Sequence, residues 1–208
     1  MKLLLYVIMS YLIGSLSPAA LVSKVKKKDL REHGTGNLGA TNTMLVFGKL
    51  CGVLVMVFDI AKAYFVVKIA EAAFPAISVA GLLAGGSAVL GHIFPFYMKF
   101  KGGKGLATFG GTILAYDALL FLFLLLIGCI VMLVLNYAVA MTVSAAVLFP
   151  VFAGFRSGSV EVFLAAAVIG IIIILRHREN MERAKNGTEI KIRDYIKEHL
   201  SRSENEGH

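Results

Sequence analysis

The chain has 208 residues, of which 58% are hydrophobic and only 16% are charged, and its mean hydropathy is +0.79. This composition excludes an ordinary soluble domain and indicates a single domain that crosses a membrane several times. The net charge of +8 would suggest nucleic-acid binding in a soluble protein, but the basic residues are clustered: six lie in 24–49, three in 99–104 and eight in 176–202. Because basic loops stay on the cytoplasmic side of a membrane, we assign all three clusters to that side and expect no nucleic-acid partner.

The first apolar segment, 3–23, is followed by four lysines but preceded only by Lys2. A cleaved signal peptide carries its positive charge before the apolar core, so this pattern favours a membrane span with the N-terminus outside. Within the segment, Gly14 and Pro18 predict close helix packing or a kink.

The polar loop 24–49 contains a run of small polar residues between 35 and 42. Connecting loops are rich in such turn-forming residues, and this interpretation has the same weight as a functional one. The functional interpretation is a pocket in which the glycine backbone comes close to a polar ligand. Its members would be Thr35, Gly36, Asn37, Gly39, Thr41 and Asn42.

Two further spans are predicted over 50–70 and 77–95. In the first of them, Asp59 and Lys62 are three residues apart and share a helix face, where they could neutralise each other. An ionisable pair inside a membrane span suggests function, although a structural ion pair explains the spacing equally well.

The stretch 91–108 is the one around which the chain is organised. Its apolar sequence is interrupted at Pro95, three lysines and three glycines follow, and apolar sequence then resumes. Glycine lets the backbone approach a ligand, lysine supplies positive charge, and a helix that starts near Gly105 would direct unpaired N–H groups the same way. This combination predicts an anion site, most naturally one for phosphate. Its candidates are Lys101, Lys104, the backbone of Gly102, Gly103 and Gly105, and His92, which could equally be a structural histidine.

The basic residues on both sides of 105–175 are assigned to the cytoplasm, so an even number of crossings separates them. Three apolar segments, 118–135, 138–155 and 160–175, are of ordinary length, whereas 105–117 would be a helix of about 20 Å, which is short for a span. Counting 105–117 as a crossing restores the parity and predicts an all-α polytopic protein with about seven transmembrane helices and a cytoplasmic C-terminus. Merging two of these segments would give five spans instead.

The polar segment 176–208 is predicted to form a basic cytoplasmic tail. A helix should extend from the last span to a turn at Asn186–Gly187, and beyond about 190 the tail is typical of segments that bind anionic lipid head groups. His177 and Asn180 are three residues apart, on one helix face, where the last span reaches the cytoplasm. They could therefore join the anion site.

The sequence offers no support for several common kinds of catalytic site. The glycine run at 102–105 is not a P-loop, because its first glycine position holds Met98 and Lys104 is followed by another glycine. A Gly-x-Ser-x-Gly nucleophile elbow is absent, and so is the cysteine and histidine spacing of a metal site. What remains is a set of positioning groups, which suits transfer between phosphate-bearing partners, where proximity and charge stabilisation supply most of the rate enhancement.

Several separated motifs resemble those of the PlsY family, the acyl-phosphate-dependent glycerol-3-phosphate acyltransferases of bacterial membranes. The resemblance extends from the first span to about Glu189, and several motifs in one order are far more specific than any one of them. The motifs are Gly14–Ser15 with Pro18, Gly36–Asn42, Gly91–His92 with Phe94–Pro95, Phe100–Gly105 with Ala107–Thr108, Arg176–Asn180 and Asn186–Glu189.

The resemblance implies transfer of a fatty acyl group from acyl phosphate to the 1-position of glycerol 3-phosphate, the first step of phospholipid synthesis, which yields lysophosphatidic acid and phosphate. It implies a multi-pass protein of the bacterial cell membrane with its site on the cytoplasmic face, no cofactor or metal, and a functional link to a soluble enzyme that forms acyl phosphate. The catalytic residues expected are Lys104, Thr35, His177 and Asn180. The residues expected to bind substrate or phosphate are Gly36, Asn37, Gly39, Thr41, Asn42, His92, Lys101, Gly102, Gly103, Gly105, Thr142 and Glu189.

The chain departs from the family pattern at four positions. Thr35 and Thr142 stand where serine is common, which keeps the hydroxyl group. Leu45 and Asn136 stand where arginine is usual, and arginine binds phosphate through a bidentate fork that neither replacement offers. Two alternatives stay open beside the enzyme: a membrane transporter for a small anion, and a diverged, non-catalytic paralogue that acts as a scaffold.

Overall fold

A computed structural model describes residues 1–194 of the chain. Within that range the protein forms α-helices and no β-strand, apart from one isolated bridge between Tyr137 and Lys191. The all-α fold predicted from the sequence is confirmed, while residues 195–208 of the predicted tail lie outside the described residues. The helices are α1 (Lys2–Ser15), α2 (Pro18–Val25), α3 (Ala40–Phe47), α4 (Lys49–Ala73), α5 (Ala80–Ile93), α6 (Leu106–Tyr116), α7 (Ala118–Leu135), α8 (Ala138–Ser157), α9 (Val160–Arg176) and α10 (Arg178–Lys185).

Five helical segments in the described part of the chain are long and apolar enough to cross a membrane. Helix α9 passes the same test only together with α10, from which it is bent by 53°, and α6 is apolar but has 11 residues. With these two, the helical segments coincide with the seven segments predicted from the sequence; the number of crossings and their direction stay predictions. The segments that pass alone are Lys2–Val25, Lys49–Ala73, Ala80–Met98, Ala118–Leu135 and Ala138–Ser157.

The first predicted span is broken into α1 and α2 at Ser17. The Ser17 hydroxyl accepts a hydrogen bond from the Ala20 N–H at 3.2 Å, and Pro18 occupies the first position of α2, where its missing N–H costs nothing. Gly14 lets α1 come so close to α5 that a Cβ atom at this position would overlap the backbone of Ala88. The close packing predicted at Gly14 is present, and the helix is interrupted just before Pro18.

Helix α6 is short because a glycine loop limits it on one side and a sharp corner on the other. Gly105 precedes it with a φ of +86°, a backbone conformation that favours glycine. At its other end Asp117 is extended, accepts the N–H of Leu120 at the start of α7, and pairs with Arg156 at 2.6 Å. The N-terminus of α6 therefore opens directly on the loop 99–105.

The main apolar core lies where the five helices α5 to α9 meet. Phe109 of α6 and Phe149 of α8 are fully buried, with their ring centroids 5.7 Å apart in an edge-to-face arrangement. Apolar side chains on the outer surface stay exposed, most clearly on α7, where Leu119 is 73% and Val134 is 71% exposed, as expected of a surface that contacts lipid. This core holds together the ends of α5, α6 and α9, which carry the candidate site.

Candidate active site

Three segments that are far apart in the sequence meet at one end of the helix bundle. They are the loop 30–42, which we call the asparagine loop, the loop 99–105 with the start of α6, which we call the glycine loop, and the junction of α9 with α10 together with the turn that leads to Glu189. Each contributes predicted site residues, and each is held in place by its own hydrogen bonds.

Asn42 organises the asparagine loop from its centre. Its side chain is fully buried; Oδ1 accepts the backbone N–H of Thr35 at 2.7 Å, and Nδ2 donates to the carbonyls of Leu30 at 2.8 Å and His33 at 3.0 Å. An amide has two donor hydrogens and one oxygen acceptor, so these three bonds use most of its capacity. The structure thus gives Asn42 a role in shaping the loop, and its predicted contact with phosphate stays a prediction.

The other residues of the asparagine loop leave polar groups open to solvent. Thr35, Gly36 and Thr41 are exposed, whereas Asn37 and Gly39 are partly buried. The Asn37 amide nitrogen lies 2.9 Å from the place that a Cβ atom on Gly39 would occupy, so Gly39 makes room for this side chain. The loop therefore presents two hydroxyl groups and glycine backbone at an accessible surface.

The glycine loop is pinned to the C-terminal end of α5. The Gly102 N–H donates to the Ile93 carbonyl at 3.0 Å and the Gly103 N–H donates to the His92 carbonyl at 3.2 Å, which satisfies carbonyl groups that the helix end leaves free. Gly105 then turns the chain into α6, whose first-turn N–H groups have no intrahelical acceptor. Such groups attract anions, so the backbone here is suited to phosphate oxygens.

A chain of polar side chains connects the glycine loop to the α9–α10 junction. The Lys104 ammonium donates to Asn180 Oδ1, and Asn180 Nδ2 donates to Glu189 Oε1 at 2.6 Å. The other oxygen of Glu189 accepts from Arg183 Nε at 2.7 Å. Three predicted residues are thus joined in one network, which leaves two of the three ammonium hydrogens of Lys104 for a ligand. Sequence reasoning had missed Arg183, although it lies just before the predicted turn at Asn186–Gly187.

The surroundings of Lys104 also adjust its charge state. Burial lowers the pKa of the ammonium group below its ordinary value, and the Arg183 guanidinium lowers it further, whereas the Glu189 and Glu179 carboxylates act in the opposite direction. Partial burial strengthens the attraction between this cation and a bound phosphate, because less water screens it.

His177 lies at the bend between α9 and α10 and is buried. Its Nδ1 is 2.9 Å from the Ile173 carbonyl oxygen, which can only accept, so Nδ1 carries the proton and Nε2 is free to accept one. Burial lowers the pKa of the imidazole, and the nearby Lys104 and Arg176 charges lower it as well, while the hydrogen bond to Ile173 raises it. A neutral imidazole with an available Nε2 is suited to act as a general base.

Acidification should destabilise the folded protein in part through His177. Because its folded-state pKa is lowered, the unfolded chain binds more protons below the ordinary value of about 6.5, and the stability present above that pH is lost as the pH falls. His177→Asn keeps an N–H for the Ile173 carbonyl but cannot be protonated. The fall in melting temperature between about pH 7.5 and about pH 5.5, measured in detergent, should therefore be smaller in this variant. His33→Asn serves as the control, and an unchanged pH dependence in His177→Asn would contradict the prediction.

Three positions singled out from the sequence do not join this network. Thr142 is buried in α8 and makes no hydrogen bond to the other candidates in the described part of the chain. Leu45 is 37% exposed on α3, one turn after Asn42. Asn136 has a left-handed φ of +64° in the α7–α8 turn. The reason for the replacements at 45 and 136 is not evident from their surroundings.

Asn136 instead receives the chain that follows Glu189. Its side-chain oxygen accepts the Arg193 N–H at 2.9 Å and its carbonyl accepts the Ile192 N–H at 3.1 Å. The Arg193 guanidinium reaches the Leu133 carbonyl at 3.4 Å. This docking holds the segment after Glu189 against the α7–α8 turn, and no sequence pattern indicated the pairing of two segments so far apart.

Known proteins resemble this chain over most of its length. A family model described as glycerol-3-phosphate acyltransferase matches residues 4–187. The glycerol-3-phosphate acyltransferase of Aquifex aeolicus (strain VF5) is 39% identical over 189 residues, 91% of this chain and 98% of the relative. That of Bacillus subtilis (strain 168) is 37% identical over 194 residues, 93% of this chain and 99% of the relative.

Two solved structures resemble the fold over most of the chain. The crystal structure of PlsY, an integral membrane glycerol 3-phosphate acyltransferase, in its glycerol 3-phosphate form superimposes with a TM-score of 0.85 at 37% identity, over 92% of this chain and 96% of that one. The lysophosphatidic acid form gives a TM-score of 0.83 at 36% identity, over 92% and 95%.

Proposed function

The chain belongs to this family of glycerol-3-phosphate acyltransferases and is a multi-pass membrane acyltransferase, and we propose that it takes its acyl group from a fatty acyl phosphate. The acceptor is glycerol 3-phosphate, and the proposed product of acylation at its 1-position is lysophosphatidic acid. The observation that carries the proposal is the network from Lys104 through Asn180 to Glu189, at the N-terminus of α6. It offers cationic and N–H donors for phosphate oxygens.

The reaction needs no covalent enzyme intermediate, because acyl phosphate is already an activated mixed anhydride. The 1-hydroxyl oxygen of glycerol 3-phosphate attacks the acyl carbonyl carbon, the bond from that carbon to the phosphate oxygen breaks, and inorganic phosphate leaves with the bonding electron pair. Lys104 and the first-turn N–H groups of α6 stabilise the charge that collects on the leaving phosphate. Positioning the two substrates supplies the rest of the rate enhancement.

The hydroxyl proton has two acceptors in this scheme. His177 is the better protein candidate, since its Nε2 makes no hydrogen bond within residues 1–194 and its imidazole is neutral, whereas the other candidate, His92, is engaged at Nδ1 by a buried lysine. A phosphate oxygen of the donor is the alternative and would carry the proton away with the product. Thr35, Asn37 and Asn180 orient the acceptor, and the acyl chain lies between helices on the lipid side.

The charge distribution supports placing the site at the cytoplasmic face of a bacterial membrane. All three basic clusters border the site segments, and basic loops stay in the cytoplasm. With seven crossings, the N-terminus is outside and the C-terminus inside. The donor would then come from a soluble enzyme that forms acyl phosphate in the cytoplasm.

The direct test is phosphate release by the purified protein in lipid or detergent with palmitoyl phosphate and glycerol 3-phosphate. We expect release that requires both substrates, and no acyl transfer from acyl-CoA or acyl carrier protein. Transfer from either of these donors, with none from palmitoyl phosphate, would overturn the proposed donor. No transfer from any donor by a folded protein would contradict the activity itself and favour the transporter or scaffold alternatives.

A further inference from the structure

A buried cluster of three ionisable side chains lies behind the glycine loop. Asp59 and Lys62 belong to α4, and His92 belongs to the last turn of α5; their exposures are 1%, 6% and 7%. The Lys62 ammonium nitrogen is 2.7 Å from Asp59 Oδ1, 2.8 Å from the Leu16 carbonyl oxygen and 3.1 Å from His92 Nδ1. The pair predicted from the sequence is thus part of a larger cluster that includes a predicted site residue.

The contacts of Lys62 determine where His92 carries its proton. An ammonium group has three N–H donors and no acceptor, and it faces three acceptors here. His92 Nδ1 is also 3.2 Å from Asp59 Oδ1, but of its two contacts only the one to Lys62 has the geometry of a hydrogen bond. Because the ammonium can only donate, Nδ1 contributes its lone pair, and the single proton of the neutral ring is on Nε2. Asp59 supplies the one negative charge that Lys62 requires.

The Nε2 atom of His92 faces the place where the two loops meet. A Cβ atom on Gly103 would overlap this nitrogen, and it would lie 2.7 Å from the Leu38 carbonyl oxygen of the asparagine loop. Within residues 1–194, Nε2 makes no hydrogen bond. The protonated nitrogen is therefore directed at the glycine loop with its donor capacity unused.

We propose that Lys62 and Asp59 are positioning residues, which hold His92 in its neutral Nε2–H form so that it donates to a phosphate oxygen of a substrate at Gly103. The proposal rests on the proposed function for the identity of the phosphate group, although the tautomer itself does not depend on it. Lys62 also binds the Leu16 carbonyl at the break between α1 and α2, which ties the same ammonium to the first span.

The first test reads the tautomer without reference to activity. Nitrogen-15 NMR spectra of the histidine-labelled protein, with the His92 signals assigned through His92→Gln, should show a neutral ring protonated at Nε2 near pH 7. The paired variant Asp59→Asn/Lys62→Met removes both charges together and leaves no buried charge unpaired, so His92 should then populate both tautomers. A wild-type ring protonated at Nδ1, or at both nitrogens, would overturn the proposal.

The second test separates the two nitrogens of His92 by substitution. The amide nitrogen of glutamine can occupy the position of Nε2, whereas asparagine reaches only the position of Nδ1 and provides no donor toward Gly103. His92→Asn should raise KM for a phosphate-bearing substrate by about tenfold or more, the usual effect of losing a hydrogen bond to a charged group, and His92→Gln should recover most of it. Equal effects on KM in the two variants would overturn the donor role.

A double-mutant cycle links the positioning residues to the ring. Asp59→Asn/Lys62→Met should raise KM in the wild-type background but add little in the His92→Asn background, because the donor it positions is already missing. Full additivity would overturn the link. If the paired variant does not fold, judged by helicity and melting, the wild-type NMR spectrum and the two His92 variants decide. If palmitoyl phosphate and glycerol 3-phosphate give no turnover, the proposed function fails while the tautomer measurement still stands.

Discussion

Replacing Lys104 by alanine should lower the rate of acyl transfer by about 10²- to 10³-fold, the usual effect of removing a donor that stabilises developing charge. The Lys104 ammonium is the cation that the structure places between the glycine loop and the α9–α10 junction. Its loss would remove the positive charge beside the leaving phosphate, and it would also free Asn180, which we propose orients the acceptor. We expect most of the effect in kcat, because the departing oxygen carries more negative charge in the transition state than in the bound acyl phosphate.

The measurement is phosphate release at saturating palmitoyl phosphate and glycerol 3-phosphate. Lys99→Ala is the matched control, since Lys99 belongs to the same basic cluster but is exposed and has no side-chain hydrogen bond in the described residues. This control should keep its activity, while helicity and melting temperature establish that the Lys104 variant is folded. Near-normal turnover by Lys104→Ala would contradict the proposed mechanism, in which Lys104 stabilises the leaving phosphate.

The fold could be predicted from the sequence because membrane-spanning segments follow simple rules. Hydropathy, segment length and the position of basic residues predict helices without any knowledge of their neighbours. The short helix α6 was predicted from a parity argument, and the structure gives it two physical causes, Gly105 at one end and Asp117 at the other. The break at Ser17 follows from the cap and proline pattern, which is equally local.

The candidate site could be predicted only in part from the sequence, since its members meet through tertiary contacts. Lys104, Asn180 and Glu189 could be named individually from their motifs, yet nothing in the sequence says that one amide bridges the other two. For Asn42 the sequence alone suggests a ligand contact, because it is a polar residue within a motif. In the structure its amide is bonded to the backbone of its own loop and holds that loop together.

The pair Asp59 and Lys62 illustrates why spacing alone leaves function open. Two opposite charges three residues apart on a helix neutralise each other in any context. What distinguishes this pair is the third partner, His92, which comes from another helix and lies beside the glycine loop. A contact between helices depends on how they pack, and this is why the sequence could not decide between a structural pair and a functional one.

Gly103→Ala should reduce acyl transfer by about 10²-fold, comparable to the cost of moving a substrate-positioning element by about 1 Å. The added methyl group would overlap His92 Nε2 and lie 2.7 Å from the Leu38 carbonyl oxygen. Neither neighbour yields easily, because the imidazole is held by Lys62 and the carbonyl belongs to the backbone of the asparagine loop. The glycine loop must therefore shift, and Lys104, the next residue, shifts with it.

Gly110→Ala provides the control for this substitution. Its methyl group would meet only a ring carbon of Phe121 at 3.6 Å, an ordinary van der Waals contact, and alanine favours a helix interior over glycine by about 1 kcal/mol. This variant should melt at or above the wild-type temperature and retain its turnover. If Gly103→Ala matched it in phosphate release, the close approach of the glycine loop to His92 would be irrelevant to catalysis. Loss of turnover with unchanged melting in Gly103→Ala would instead locate the effect in the site, since a methyl group that only weakened packing would lower both together.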